Sequence, residues 1–172
     1  MNIFITATTP SQCAADLCDT HLRKMIVETA QLLSTAHYVL DGVTLHPKPT
    51  NQNHPCAIWV RDSVANYEWA WFLFFYMLQE YQRRFDKPHN YAIGGDDKPS
   101  VYVKLSVKPD ALGFEWKTPY PKVVPSEFYR LDTIEAYRAT LNAKFHNWMT
   151  RTDKRKIIPK WTNTTKPYWV TV

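Results

Sequence analysis

The sequence predicts a mainly α protein: a single compact helical domain over residues 1–150, with an irregular Pro-rich region and a basic, Trp-containing C-terminal tail at 151–172. Three observations lead there. Stretches near 12–40, 64–84 and 133–149 carry apolar residues at three- and four-residue spacing, the period of a half-buried helix. Twelve prolines against four glycines leave few of the tight turns that antiparallel hairpins need. A chain of 172 residues with 45% apolar composition buries one real core, and no internal repeat divides it.

Each element follows from its residues. MNIFIT opens as a short extended run. Pro10 and Ser11 start a helix, with Ser11 as the expected cap. Leu22, Met25, Ile26, Thr29, Leu33, Ala36 and Leu40 then share one face up to Asp41-Gly42, where glycine stops the helix. Three prolines break residues 43–55 into loop. A second long helix is predicted from Val64 to Arg84, capped by Asp62 or Ser63. Its YEWAWFLFFYMLQEY stretch is apolar nearly all round, as a buried central helix is. Trp69, Trp71, Phe72, Phe74 and Phe75 are expected in the core. Residues 86–125 hold nine prolines or glycines and are the least regular part, though VYVKLSV (101–107) alternates as a short strand does. Asp132 to Glu135 form a capping box that opens a third helix, running to about Met149.

The net charge of +5 is unevenly spread. Residues 144–172 hold seven basic side chains against Asp153 alone, a local +6, so the rest of the chain sums to −1. Cations interleaved with Trp148, Trp161, Tyr168 and Trp169 suit a phosphate backbone and stacked bases; a solvated tail packed back through its tryptophans is the alternative. No apolar run is long enough to span a bilayer, and no secretory signal opens the chain. Three cysteines leave at least one unpaired, which fits a reduced cytoplasmic protein. No spacing of histidine and cysteine suits zinc, and neither a metal nor a cofactor is expected. No nucleophile elbow supports a Ser-His-Asp triad.

The most informative pattern lies on the first long helix. His21, Lys24, Glu28, Gln31 and Thr35 are spaced three, four, three and four apart, in one line between the apolar shoulders Leu22, Met25, Val27 and Leu32. Such a line suits the floor of a polar cleft, where a partly desolvated carboxylate serves acid/base chemistry. A plain surface pair between Lys24 and Glu28 is the alternative.

Asp19, His21, Leu22 and Glu28 resemble the D-x-H-L opening, followed by a carboxylate seven residues after the histidine, of the pyrimidine-dimer DNA glycosylases, the family typified by bacteriophage endonuclease V. NQNHPCAIWV resembles an N-H-P stretch of bacterial relatives. EYQRRFDKP resembles their E-x-x-R-R-G-x-x-F-D element, without its glycine. The resemblance covers roughly residues 15–88. It implies base flipping, cleavage of the glycosidic bond of a damaged or modified pyrimidine, a Schiff base to an enzyme amine, and strand breakage by elimination. It also implies that Glu28 is the acid/base and electrostatic residue and that His21 contacts sugar or phosphate.

The chain departs from the family in two places. Asn2 stands where the family carries a small residue, typically Thr, whose α-amine is exposed by Met removal. Three models then remain: the α-amine of Met1, the side chain of Lys24, or water activated by Glu28. Val27 and Gln31 replace two arginines that flank the family's glutamate, which weakens the grip on phosphate there.

The remaining candidates belong to the nucleic-acid surface. Asn53 is read as a helix cap with His54 directed into the cleft. Arg61 beside Asp62 reads as an ion pair, with substrate contact as the alternative. Arg83 and Arg84 at a helix C-terminus, and Arg151, Lys154, Arg155, Lys156 and Lys160 in the tail, complete the set. The expected partner is DNA and the expected state a monomer, in a host cytoplasm if phage-encoded. A non-catalytic nucleic-acid-binding protein and an enzyme acting on a free nucleotide or nucleoside are the competing functions.

Overall fold

The computed structural model describes residues 2–172. Among them are six α-helices and no strand: α1 (Pro10–Asp16), α2 (Asp19–Asp41), α3 (Pro55–Asp62), α4 (Val64–Phe85), α5 (Val101–Lys104) and α6 (Thr133–Thr150). Short 3-10 turns occupy Asn90–Ala92 and Ser126–Phe128. No helix among the described residues is long and apolar enough to cross a membrane.

The periodic stretch at 12–40 is broken in two. Leu17 and Cys18 are both extended, and the cap of α1 is Thr9, not Ser11. The break is filled from α4: Arg84, with a side chain 0% exposed, donates to the carbonyls of Leu17 at 2.6 Å and Ala15 at 2.8 Å. It also pairs with Asp19 at 3.3 Å and Glu80 at 2.9 Å. A helix end leaves carbonyls unsatisfied, and a planar guanidinium with five donors can serve two of them and two carboxylates together. Arg84 is therefore no part of a nucleic-acid surface, because every side of it is spent internally.

The other boundaries follow their residues. Gly42 closes α2 at φ 71°, its amide reaching His37 and Tyr38. Ser63 Oγ caps α4 by accepting from the Asn66 amide at 3.1 Å. Asp132 caps α6 by accepting from the Glu135 amide at 3.1 Å.

The core forms where α2 and α4 pack on α1, α3 and α6, around Leu22, Ile26, Leu33, Phe74, Met77 and Phe145. The extended opening residues Ile3 and Ile5 are wholly buried in it. The aromatic run of α4 is not buried all round. Trp69 and Phe74 are buried, but Phe72 is 44% exposed, and Trp71 is half-buried with its ring stacked on Tyr102 at 5.1 Å. Tyr102 belongs to α5, where alternation predicts a strand. With no neighbouring strand to pair with, the segment coils instead, capped by Ser100 and burying Leu105.

The stretch after α6 folds back onto the body. Trp161 Nε1 donates to the Asp16 carbonyl at 3.1 Å and Trp169 Nε1 to the Asp16 carboxylate at 3.2 Å. The Asp19 amide donates to the Lys160 carbonyl at 2.8 Å, and Val170 is buried.

Candidate active site

α2 presents Lys24 and Glu28 one turn apart. The Lys24 ammonium lies 3.3 Å from a Glu28 carboxylate oxygen, and the two side chains are 64% and 15% exposed. Glu28 is thus largely sheltered while its partner reaches solvent. The two ends of the sequence-predicted stripe are closed: His21 and Thr35 are buried, leaving Lys24, Glu28 and Gln31 as its accessible middle.

The start of α3 lies within reach of the charge of Glu28. His54, not Asn53, caps that helix: its Nδ1 accepts from the Cys56 amide at 3.2 Å. In the neutral ring this leaves the proton on Nε2. Burial lowers the pKa of His54, and the negative charge of Glu28 opposes that shift. Burial likewise pushes the Cys56 thiol up to about 11, so it stays a thiol. That thiol donates to Asn2 Oδ1 at 3.4 Å. Tyr137 of α6 donates to the same oxygen at 3.2 Å, and Asn2 Nδ2 donates to the Val123 carbonyl at 2.9 Å. Asn2 is thus anchored beside Cys56 from three directions. Met1, one of the amine candidates, lies outside the described residues.

His21 forms part of the packing beneath this cleft. It is 2% exposed, with its ring centroid 5.1 Å from Phe4, 4.7 Å from Trp148 and 5.5 Å from Phe145. Burial lowers its pKa to about 3, helped by the charges of Lys144 and Lys24. The sequence leads one to expect a sugar or phosphate contact of His21; the structure places its ring inside this aromatic packing. Its aromatic neighbours on α6 and the opening segment, invisible to helix spacing alone, enclose it.

The same neighbours bring in a residue that the spacing on α2 does not reveal. Lys144 of α6 is half-buried, its ammonium 5.7 Å from the Phe4 ring centroid and 5.4 Å from that of Trp148. The signal is in the sequence: residues 137, 141, 144 and 148 fall in one line of α6 as Tyr, Leu, Lys and Trp. A lysine interrupts an apolar line there as the polar residues do on α2.

The cations divide into two groups. Lys154, Arg155, Lys156 and Lys160 are exposed, and their segment returns past α6 where the Ile157 amide donates to the Trp148 carbonyl at 3.0 Å. Arg151 is half-buried, its Nε donating to the Arg155 carbonyl at 2.9 Å. The other group is spent on structure. Arg83 donates to the Asn163 carbonyl at 2.6 Å and pairs with Glu80, while Arg61 donates to the Gln52 carbonyl at 2.6 Å and pins the proline loop. Asn53 is exposed at the end of that loop.

The described residues thus hold a sheltered carboxylate paired with a lysine on α2 and, in the segment after α6, four exposed cations. The family model for the pyrimidine dimer DNA glycosylases matches residues 1–91, just over half of the 172, and the chain belongs to that family. The matched part takes in α1 to α4 and so contains Lys24, Glu28 and His54. No curated protein and no solved structure matches the chain.

Proposed function

We propose that the protein excises a damaged or modified pyrimidine from DNA, with Glu28 as the group that makes the glycosidic bond labile. The observation that carries this reading is the position of Glu28. It is sheltered, pairs with Lys24, lies near enough to His54 for its charge to act there, and stands seven residues after the histidine of the family-like opening.

The chemistry follows from that placement. As the C1′–N bond lengthens, positive charge develops on the sugar, and a carboxylate a few ångströms away stabilises it more than it stabilises the ground state. The same oxygen accepts and returns protons as an amine adds to C1′ and the base departs. The resulting imine opens the way to elimination of the 3′ phosphate, an abasic-site lyase step. Val27 and Gln31 offer no charge to the phosphates, so binding falls to Lys24, Lys154, Arg155, Lys156 and Lys160. The target nucleotide must leave the base stack to reach Glu28, which favours lesions that already weaken stacking.

The test is formation of an abasic, alkali-labile sugar in duplexes carrying either a thymine dimer, whose two bases stay joined when one glycosidic bond breaks, or one of a set of modified pyrimidines. Wild-type protein makes such a site in at least one of these duplexes, and Glu28→Gln does not. Binding without such a site across the whole set supports a non-catalytic DNA-binding protein instead.

A further inference from the structure

We infer that Arg23 is a phosphate clamp for the DNA strand that crosses α2, a contact that rests on the reading of DNA as substrate above and adds to the cations named there.

Arg23 is exposed on α2, and its guanidinium carbon lies 4.3 Å from the centroid of the Phe85 ring at the end of α4. Other arginines spend their donors within the fold: Arg61, Arg83, Arg84, Arg138 and Arg151 each donate to a backbone carbonyl. Arg23 makes no such bond among the described residues, and no carboxylate there pairs with it. Asp19, one turn upstream on α2, is engaged by Arg84 at 3.3 Å and by the Thr162 hydroxyl at 2.7 Å. Asp86 and Lys87, which follow Phe85, carry opposite charges and offset each other. An aromatic face orients a guanidinium through its plane and leaves the N–H edge for a ligand. A planar fork with open donors suits the paired oxygens of a phosphodiester.

The helix sets where this fork stands relative to Glu28. At 3.6 residues per turn, Thr20, Lys24, Val27 and Gln31 form one outward strip of α2. Glu28 lies along one edge of the strip and Arg23 along the other, with about 9 Å between their Cα atoms by helix geometry. Lys24 is tied to Glu28 at 3.3 Å, and Val27 and Gln31 carry no charge. Arg23 is thus the cation of α2 without an acidic partner among the described residues. Phosphates of a duplex strand advance by about 3.4 Å along the axis. With the target sugar at Glu28, the phosphate that meets Arg23 stands about two to four nucleotides away.

Binding to a duplex that carries a tetrahydrofuran analogue of an abasic site, with no base to excise and no aldehyde to trap, tests this. Arg23→Gln should weaken binding about 10-fold and lower the slope of log affinity against log salt by about 0.9. Arg23→Lys should keep the slope and still bind more weakly than wild type, because an ammonium lacks the fork. Replacing one phosphate at a time by an uncharged methylphosphonate then locates the contact. At one position, about two to four nucleotides from the analogue, the replacement should weaken wild type and leave Arg23→Gln unaffected. A wild-type slope in Arg23→Gln overturns the clamp. So does an Arg23→Lys variant that binds like wild type, or a set of methylphosphonates that weaken wild type and Arg23→Gln alike. If slope and map respond as expected and no abasic site forms in any damaged duplex, the clamp stands and the excision reading fails. If wild-type protein binds no duplex, both fail.

Discussion

The guanidinium of Arg84 donates to the carbonyl of Leu17 at 2.6 Å across 67 residues of sequence, and this bond seals the gap between α1 and α2. Arg84→Met should therefore act on stability. It strands two carbonyls and leaves Asp19 and Glu80 without a buried partner, a loss of about 3–5 kcal/mol. For a chain of this size the melting temperature should fall by about 6–20 °C. DNA affinity of the folded fraction should be unchanged. A variant as stable as wild type but deficient in binding would return Arg84 to the nucleic-acid surface.

Glu28→Gln preserves shape and removes both the charge and the base. The rate of base release should drop by at least ~100-fold. Affinity for duplex DNA should hold or rise, since one repulsion with phosphate is gone. Single-turnover kinetics alongside a binding titration separate the two effects. Full activity in this variant would show that the carboxylate has no part in the chemistry.

α2 and α4 are legible in the sequence because long helices repeat their apolar face many times. The break at Leu17–Cys18 is not, since what stabilises it is an arginine supplied by α4. The strand expected at 101–107 fails for a related reason: alternation shows which residues are half-buried but supplies no partner strand. At the site, spacing on one helix places Lys24 and Glu28 together, and these remain neighbours. The same spacing puts His21 in line with them, yet Phe4, Phe145 and Trp148 arrive from elsewhere in the chain and bury it. Lys144 is hidden by the converse effect, because a lysine near a basic tail reads as one more surface charge.

Neutralising the exposed tail cations tests the nucleic-acid surface without disturbing the tail's anchors. Lys154, Arg155, Lys156 and Lys160 changed together to Gln should leave folding intact, whereas deleting 151–172 removes Trp161 and Trp169 from Asp16. Each phosphate that the variant no longer neutralises should reduce the slope of log affinity against log salt by about 0.9. A slope identical to wild type would mean that these four side chains touch no phosphate.

His21 predicts an acid sensitivity of the fold. Its folded pKa, about 3, lies below the unfolded value near 6.5, so the unfolded state binds the extra proton between these limits. Stability therefore rises with pH through this window and is lost as pH falls from 6.5 towards 3, by up to about 1.4 kcal/mol per pH unit. Denaturant titrations at several pH values should give a shallower acid dependence for His21→Phe than for wild type. Parallel curves for the two proteins would show that His21 does not titrate on unfolding.

The bonds from Trp161 and Trp169 to Asp16 join positions 145 and 153 residues apart, and Asn2 meets Tyr137 across 135. Such closures are the slowest contacts for a chain to find. On a ribosome, α1 through α4 emerge early, yet Trp161 and Trp169, the donors for Asp16, follow only after α6. Until then the junction of α1 and α2 lacks its outer seal, and Asn2 lacks Tyr137. The setting of Asn2 beside Cys56, and the junction before α2, would thus be completed only once α6 and the segment behind it have been made.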